Sequence, residues 1–391
     1  MRAVVTRADA RERHTRDLRG GRERELVLVT MPAPRDVWRA VLASDPTAMP
    51  SQTPEWLDCV CAAGPWTDAS RLYERAGDRP VVLPAVRREW AHGALTVEAS
   101  LPAGWGPGGP LAPGGADVDD VALVADDVAR VAASGVLVAS VRPAFGAAAT
   151  WRAARVDGLA VVPRVVHVLD LEGGIDQVWA ERFTPQTCQS LRRAARRAED
   201  AGVTIERGNS PQLVDELYDV YLRWLDASAR RRGLPRWLVR QGGMHADPLR
   251  KFQLVARALG DACTVYVARV GGVAAAADLC VRQGAIAMGW RGMSDRALAG
   301  SLRLNELLHE QSIRDACEAG CRWFDMGESG GVDSLVSFKI RLGGRPCALA
   351  EYRAERVPIS ALRRMAARER ARVESLLARA TPTRGRTTHA G

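Results

Sequence analysis

The run FDMGESGGVDSLVSFKIRLGG, residues 324–344, gathers chemically able side chains around glycines. Asp325 and Glu328 stand at the end of an expected strand, and Asp333 follows the Gly330-Gly331 pair. A carboxylate there could take a proton from an amine or bind an ammonium. Equally, Asp325 could tie the glycine turn through backbone hydrogen bonds, and Asp333 reads as a turn residue. Phe338-Lys339 sets a cation beside an aromatic ring; taken alone, the pair is also what a solvated lysine beside a core phenylalanine would look like. Upstream, Asn305 and His309 are four apart, so on a helix they share a face and could line a pocket or simply serve the fold. Trp290 and Arg291 precede them, and a guanidinium at 291 could grip a carboxylate or phosphate bidentately. Trp56 reads as core.

Arginine supplies nearly all of the basic charge. Of 55 basic residues only Lys251 and Lys339 are lysines, a bias that GC-rich coding would produce. Arg192, Arg193, Arg196 and Arg197 fall on one side of an expected helix. Arg230, Arg231, Arg232, Arg236 and Arg240 cluster after another, and Arg363, Arg364, Arg368, Arg370 and Arg372 lie near the C-terminus. Such runs are either solvated faces or contacts to phosphates. The formal charge of +9 is not spread over the chain. Residues 1–25 carry +3 and residues 353–391 carry +7, leaving about −1 for residues 26–352.

The elements that must position these residues follow from composition and pattern. The 391 residues, 47% hydrophobic and 26% charged, exclude a disordered chain or a rod and suit two domains, each large enough for its own core. Eight cysteines without CxxC or Cys/His spacing point to reduced thiols and no metal site. Neither a signal sequence nor an 18-residue apolar stretch occurs, so a cytoplasmic protein without a membrane span is expected. Thr53 caps a helix opened by Pro54. A glycine- and proline-rich loop spans 102–115, and a helix is expected at 119–134. The second half begins with an arginine-rich helical stretch at 175–201 and a helix from Pro211 to Arg232. A meander follows over 263–270, 273–282 and 285–291, joined by Gly271-Gly272 and Gln283-Gly284 turns. A helix at 301–318, a strand at 322–326, the loop carrying Phe338-Lys339, and a last strand at 346–353 complete the order.

The terminal run resembles the signature of the FemAB-like family: aspartate-x-glycine, a polar turn, a hydrophobic residue, Phe-Lys, then Gly-Gly before a strand. Here these are Asp325, Gly327, Leu335, Phe338-Lys339 and Gly343-Gly344. SQTPEWL, GGPL at 108–111, SLRRAARRAEDAGV and LNELLHEQSIRDACEAG extend the similarity over roughly 45–355. The resemblance implies an α/β (α+β) fold of two tandem GNAT-like acyltransferase lobes with mixed sheets flanked by helices. The expected layout is a disordered basic N-terminus at 1–24 and lobes at 25–165 and 166–357. A basic helix at 358–380 and a disordered tail at 381–391 would close the chain.

The resemblance further implies amide-bond formation, with an aminoacyl group passing from aminoacyl-tRNA to the amine of a peptidoglycan precursor, peptide or secondary metabolite. No cofactor is called for, since the charged tRNA is a co-substrate. Attack on its ester develops an oxyanion beside phosphates, and a fixed cation would stabilise both. Lys339 would hold the tRNA terminus and Phe338 would frame the carbonyl, with Asp325 and Glu328 as the other catalytic candidates. Trp290, Arg291, Asn305 and His309 would line the acceptor pocket. Arg192, Arg193, Arg196, Arg197, Arg231 and Arg232 would meet tRNA phosphates. Two alternatives stay open. One is an acyl-CoA-dependent acyltransferase, although GMSDRALAGSLR lacks the Arg/Gln-x-x-Gly-x-Gly/Ala pyrophosphate pattern. The other is a non-catalytic RNA- or peptide-binding protein. The oligomeric state is not legible. On this reading Lys339→Ala removes turnover and leaves the melting temperature near wild type.

Overall fold

The computed structural model describes residues 12–20, 23–90, 95–154 and 156–358, together with Ser360 and Met365. The expected C-terminal helix at 358–380 and the tail lie almost wholly outside the described residues. Strands β1 (Glu12–Gly20) and β2 (Glu23–Met31) form an antiparallel hairpin. Residues 1–24 are therefore not uniformly disordered. Leu18 is fully buried in the N-terminal core, and Arg16 pairs with the buried Asp127, which together fix a segment that composition alone marks as polar.

Helices α1 (Arg35–Ser44) and α2 (Pro54–Ala63) follow, the second with Thr53 accepting from the Trp56 N–H as its cap. Strands β3 (Thr67–Asp68), β4 (Arg71–Glu74), β5 (Val81–Leu83), β6 (Val86–Trp90) and β7 (Leu95–Ala99) lead to α3 (Val118–Ala133) and β8 (Val138–Val141). Asp117 and Asp120 cap α3 reciprocally through each other's backbone N–H groups. A short α4 (Ala148–Ala153) precedes the long β9 (Ala160–Asp170).

The helical stretch expected at 175–201 is broken into α5 (Gly174–Gln177), a π-turn at Val178–Arg182 and α6 (Pro185–Asp200), whose cap is Thr184. Next come β10 (Thr204–Gly208), α7 (Pro211–Arg232), α8 (Arg236–Ala246) and α9 (Leu249–Leu259). The meander is β11 (Cys263–Val270), β12 (Val273–Gln283) and β13 (Ile286–Ser294). Its first turn uses Gly271 and Gly272 at φ of 56° and 79°, in the left-handed region that favours glycine. The one-turn α10 (Arg296–Ala299), α11 (Leu304–Glu318), β14 (Trp323–Glu328), α12 (Asp333–Arg341) and β15 (Arg345–Glu355) complete the described chain.

Each half repeats one unit. β6 pairs antiparallel with β7, α3 crosses over, and β8 pairs parallel with β7. Likewise β12 pairs antiparallel with β13, α11 crosses over, and β14 pairs parallel with β13. The halves then exchange strands. β9 follows β8 in sequence but pairs with β14; β15 follows β14 but pairs with β8, and the two exchanged strands pair with each other. One 11-stranded sheet results, in the order β10-β11-β12-β13-β14-β9-β15-β8-β7-β6-β3. A boundary at 165/166 thus falls inside a strand that serves both lobes.

Alternation along β11–β13 builds a core on each face of the sheet. Val265, Val267, Leu279, Val281, Ile286 and Met288 pack with α2, α7 and α9. Tyr266, Ala268, Cys280 and Ala287 pack with α6 and α11 on the other face. The N-terminal core lies between α3 and strands that include β15, through Tyr352 and Ala354.

Because β9 and β15 each complete the other half's sheet, we expect the lobes to melt together. Calorimetry should record one transition whose van't Hoff and calorimetric enthalpies agree. Two separated transitions would contradict the exchange.

Candidate active site

The glycine-rich run expected as a loop contains a helix, α12, which carries Phe338 and Lys339. Nine residues after two glycines show little periodicity, and among them Lys339 is the one that α12 buries. Lys339 points inward and is 4% exposed. Its ammonium donates to the carbonyl oxygens of Gly327 at 2.8 Å and Glu328 at 3.0 Å. Burial brings its pKa down to about 8, opposed by Asp325 and Glu328. The buried Asp325 accepts from the Gly327 N–H at 2.7 Å. Burial pushes its carboxyl up to about 6, against the pull of that hydrogen bond and of Lys339. The turn role and the charge role of Asp325 therefore coexist. Glu328 leaves this cluster and lies 3.4 Å from Arg164 and 3.7 Å from Arg142, tying the end of β14 to β9 and β8.

The Gly343-Gly344 pair has a steric cause. A Cβ on Gly343, at φ 74°, would stand 2.9 Å from the Arg182 carbonyl oxygen. One on Gly344 would stand 2.9 Å from the Lys339 carbonyl oxygen and 3.3 Å from Cβ of His167. The chain must pass this closely for β15 to enter the sheet while α12 covers β14.

His167 was not singled out by sequence. It is 2% exposed on β9, and neither ring nitrogen has a hydrogen-bond partner among the described residues. Burial and the nearby Lys339 charge lower its pKa. One histidine inside an alternating strand carries no signal of its own. Only the strand exchange brings it to α12.

Asn305 and His309 do share a face of α11. His309 Nδ1 lies 3.0 Å from Oδ2 of the buried Asp278, and its ring meets Phe338 and Phe324 at centroid distances of 5.3 and 5.8 Å. His309 Nε2 and Asn305 Oδ1 are buried without partners among the described residues. Asp278, on β12, also accepts from Ser312 at 3.3 Å. A carboxylate that orients one imidazole nitrogen and leaves the other as an acceptor is the arrangement of a general base.

Beside Phe338 opens a cleft of about 540 Å³ between α6, the loop before α11 and α12, lined by Arg193, Arg197, Ser301, Arg303, Phe338 and Arg341. Glu306 is the acidic group in its lining; it pairs with Arg303 at 3.0 Å and lies 3.4 Å from Arg341. The positive end of α11 faces the same space. The loop spends its own backbone donors internally: the N–H groups of Leu298 and Ala299 reach the Asp295 carbonyl, Gly300 reaches Arg296, and Ala297 reaches the Asp295 side chain. An anion here would meet arginine side chains first.

Other expected site residues lie elsewhere. Arg192 stacks on Trp179 at 5.4 Å, and Arg196 is exposed on α6 outside the cleft lining. Arg231 and Arg232 end α7, on the opposite face of the sheet from α6. Trp290 is buried against Trp56 and Trp105. Arg291 pairs with Asp247 at 2.8 Å and donates to the Gly104 carbonyl at 3.0 Å. Lys251 and Trp290 Nε1 reach the same carbonyl at 2.8 and 3.2 Å. Trp290 and Arg291 thus hold the glycine-rich loop of one lobe against the other.

Residues 186–349 match the acetyltransferase (GNAT) domain family. The chain carries a GNAT domain. As a whole it has the tandem GNAT-like architecture of FemX, whose crystal structure superposes with a TM-score of 0.59 at 11% identity, over 83% of this chain and 96% of that one. A conserved protein of unknown function from Bacteroides thetaiotaomicron superposes at 0.50 and 12% identity, over 82% and 97% of the two chains. At such identities the shared property is the fold. No curated protein matches the sequence. Among the described residues of this GNAT-fold chain, no helix is long and apolar enough to cross a membrane.

The ammonium cage reverses the expectation that Lys339→Ala spares stability. Removing it leaves two half-buried carbonyls without their donor, which should cost about 1–2 kcal/mol. Gly344→Ala should destabilise by a similar amount through overpacking, about 1–3 kcal/mol. Chemical denaturation of both variants measures this. Wild-type midpoints would refute the cage.

Proposed function

We propose that this protein is an N-acyltransferase that moves an aminoacyl group from aminoacyl-tRNA to an amine acceptor, a peptidoglycan precursor or a peptide or secondary-metabolite amine. The observation that carries the reading is the arginine-lined cleft ending at Phe338, within the GNAT domain. Arg193, Arg197, Arg303 and Arg341 would hold the phosphates of the tRNA 3′ end, which duplex and single-stranded RNA both present.

In the reaction, the amine nitrogen attacks the ester carbonyl carbon. The new C–N bond forms as the C–O bond to the ribose breaks. His309, oriented by Asp278, would take the amine proton through Nε2 and return it to the departing ribose oxygen. Nε2 is buried, and the His309 ring lies 5.3 Å from that of Phe338, which lines the cleft. Lys339 would act from below, fixing the Gly327–Glu328 turn and keeping a positive charge near the developing oxyanion.

The GNAT domain itself also favours the acyl-CoA reading. Against it stands the loop at 295–303, where the N–H groups of residues 297–300 and 302 are taken up within the loop.

RNase pretreatment should abolish product formation. Persistence of product after RNase with acetyl-CoA as donor would select the alternative. Arg193→Glu with Arg341→Glu should weaken tRNA binding and flatten its salt dependence by about two phosphate contacts. An unchanged salt slope would remove the cleft from donor binding.

The pH profile of kcat/KM should be bell-shaped. Below about 6 Asp325 is protonated and the counter-charge to Lys339 is lost; above about 8 Lys339 is neutral and the cation is lost. Asp325→Asn should move the acid limb, and His309→Gln should lower turnover by about 10²-fold. A flat profile, or full activity of His309→Gln, would count against these roles.

A further inference from the structure

α8 contributes no buried residue to the core, and its outer side exposes large apolar side chains beside Gln241 and His245. Trp237 is 67% exposed, Leu238 48% and Met244 45%, and Leu234 just before the helix is 38% exposed. Trp237 and Met244 are two turns apart, so they form one stripe, with Leu238 flanking it. The inner side is accounted for. Gly243 lies so close to Leu225 that a Cβ would stand 2.5 Å from its Cδ1, and Tyr221 donates to the Gly243 carbonyl at 3.1 Å. Arg236 and Arg240 reach Asp226 at 2.6 and 3.6 Å. The tryptophan stripe takes no part in this docking.

The surroundings of the stripe are cationic. Arg230, Arg231 and Arg232 are exposed at the end of α7, one turn of chain away, and Arg250 is exposed beyond α8. Between Arg230 and Arg250 the single acidic residue is Asp247, which is engaged by Lys251 and Arg291.

We propose that α8 and the end of α7 form a docking surface for an anionic lipid bilayer, lying in the interface without crossing it. Trp237, Leu238 and Met244 would enter the boundary between headgroups and acyl chains, and the arginines would meet lipid phosphates. Charge complementarity and side-chain type select this occupant. Exposed leucine and methionine gain from an apolar phase, whereas RNA bases would use the tryptophan and leave the aliphatic side chains in water. The surface lies across the sheet from the arginine cleft, so both can be occupied together. It also abuts the loop anchor, since Asp247, which ends α8, holds Lys251 and Arg291 at the Gly104 carbonyl. This inference is independent of the donor assigned above.

Vesicle flotation with the full chain tests it. The protein should float with vesicles of phosphatidylcholine and phosphatidylglycerol in equal parts, fail to float with phosphatidylcholine alone, and release as salt is raised. Trp237→Ala with Leu238→Ala should lower binding by about tenfold or more at an unchanged melting temperature. Arg231→Glu with Arg232→Glu should also weaken it. No flotation of the wild type at low salt would overturn the proposal, as would wild-type binding by the Trp237/Leu238 variant. So would a vesicle-silent protein whose polyuridylate binding is lost on Trp237→Ala, or a dimer that Trp237→Glu converts to monomer.

Discussion

The strand exchange at the centre of the sheet sets every other relation in this protein. β9 runs between β14 and β15, and β15 runs between β9 and β8. Neither half can satisfy the backbone edge of its own crossover strand without the other half's contribution. An unpaired buried edge is costly, so the lobes close together or not at all. The exchange also aims the chemistry. It brings His167 from β9 against the α12–β15 connection, and Arg142 and Arg164 toward Glu328. It requires the tight passage of Gly343-Gly344 past Arg182, Lys339 and His167. The glycine pair and the buried lysine are two consequences of one crossing.

The two lysines in a chain of arginines occupy equivalent physical situations. Each is buried, each donates to backbone carbonyls, and burial lowers the pKa of each to about 8. Lys251 reaches Gly104 and Asp247 with its charge 4.3 Å from the Trp105 ring. Lys339 reaches Gly327 and Glu328. A compact ammonium can aim its donors at convergent carbonyls in a small cage, whereas a planar guanidinium with five donors would leave several unpaired. Cage size accounts for lysine at 251 and 339 in a chain whose other basic residues are arginine. The rarity of lysine therefore marks positions that hold loops in place, one between the lobes and one beneath the site.

Much of the architecture was legible because it rests on local signals. The Thr53-Pro54 cap, the Gly271-Gly272 hairpin and the Ser210-Pro211 helix start each state their conformation within a few residues. The tandem fold was legible through motif order. What failed were features decided by contacts distant in sequence. β1 is polar along most of its length and gains its place from Leu18 and from Arg16 on Asp127. α12 is too short and too close to glycines to announce a helix, and it forms because Phe338 and Lys339 are covered. At the candidate site, Asn305 and His309 shared a face as their spacing required, but the partner that orients His309, Asp278, lies 31 residues away on β12. Trp290 and Arg291 have a composition suited to ligands, yet are occupied by Gly104 and Asp247.

The distribution of cations bears on which donor the cleft could select. In a loop cradle, backbone N–H groups converge on one pyrophosphate, and the geometry is rigid and specific. Here the loop before α11 closes on itself, and the positive charge resides on long side chains from α6, the start of α11 and α12. Guanidinium groups spread over three elements suit a ligand whose phosphates are also spread. They can follow a nucleic-acid backbone without fixing one phosphate pair. On the proposed reading, specificity would come from the reacting end, beside Phe338, His309 and the Lys339 turn. On that reading, a donor held by many dispersed charges would be exchanged after each transfer, because no single contact would dominate its release.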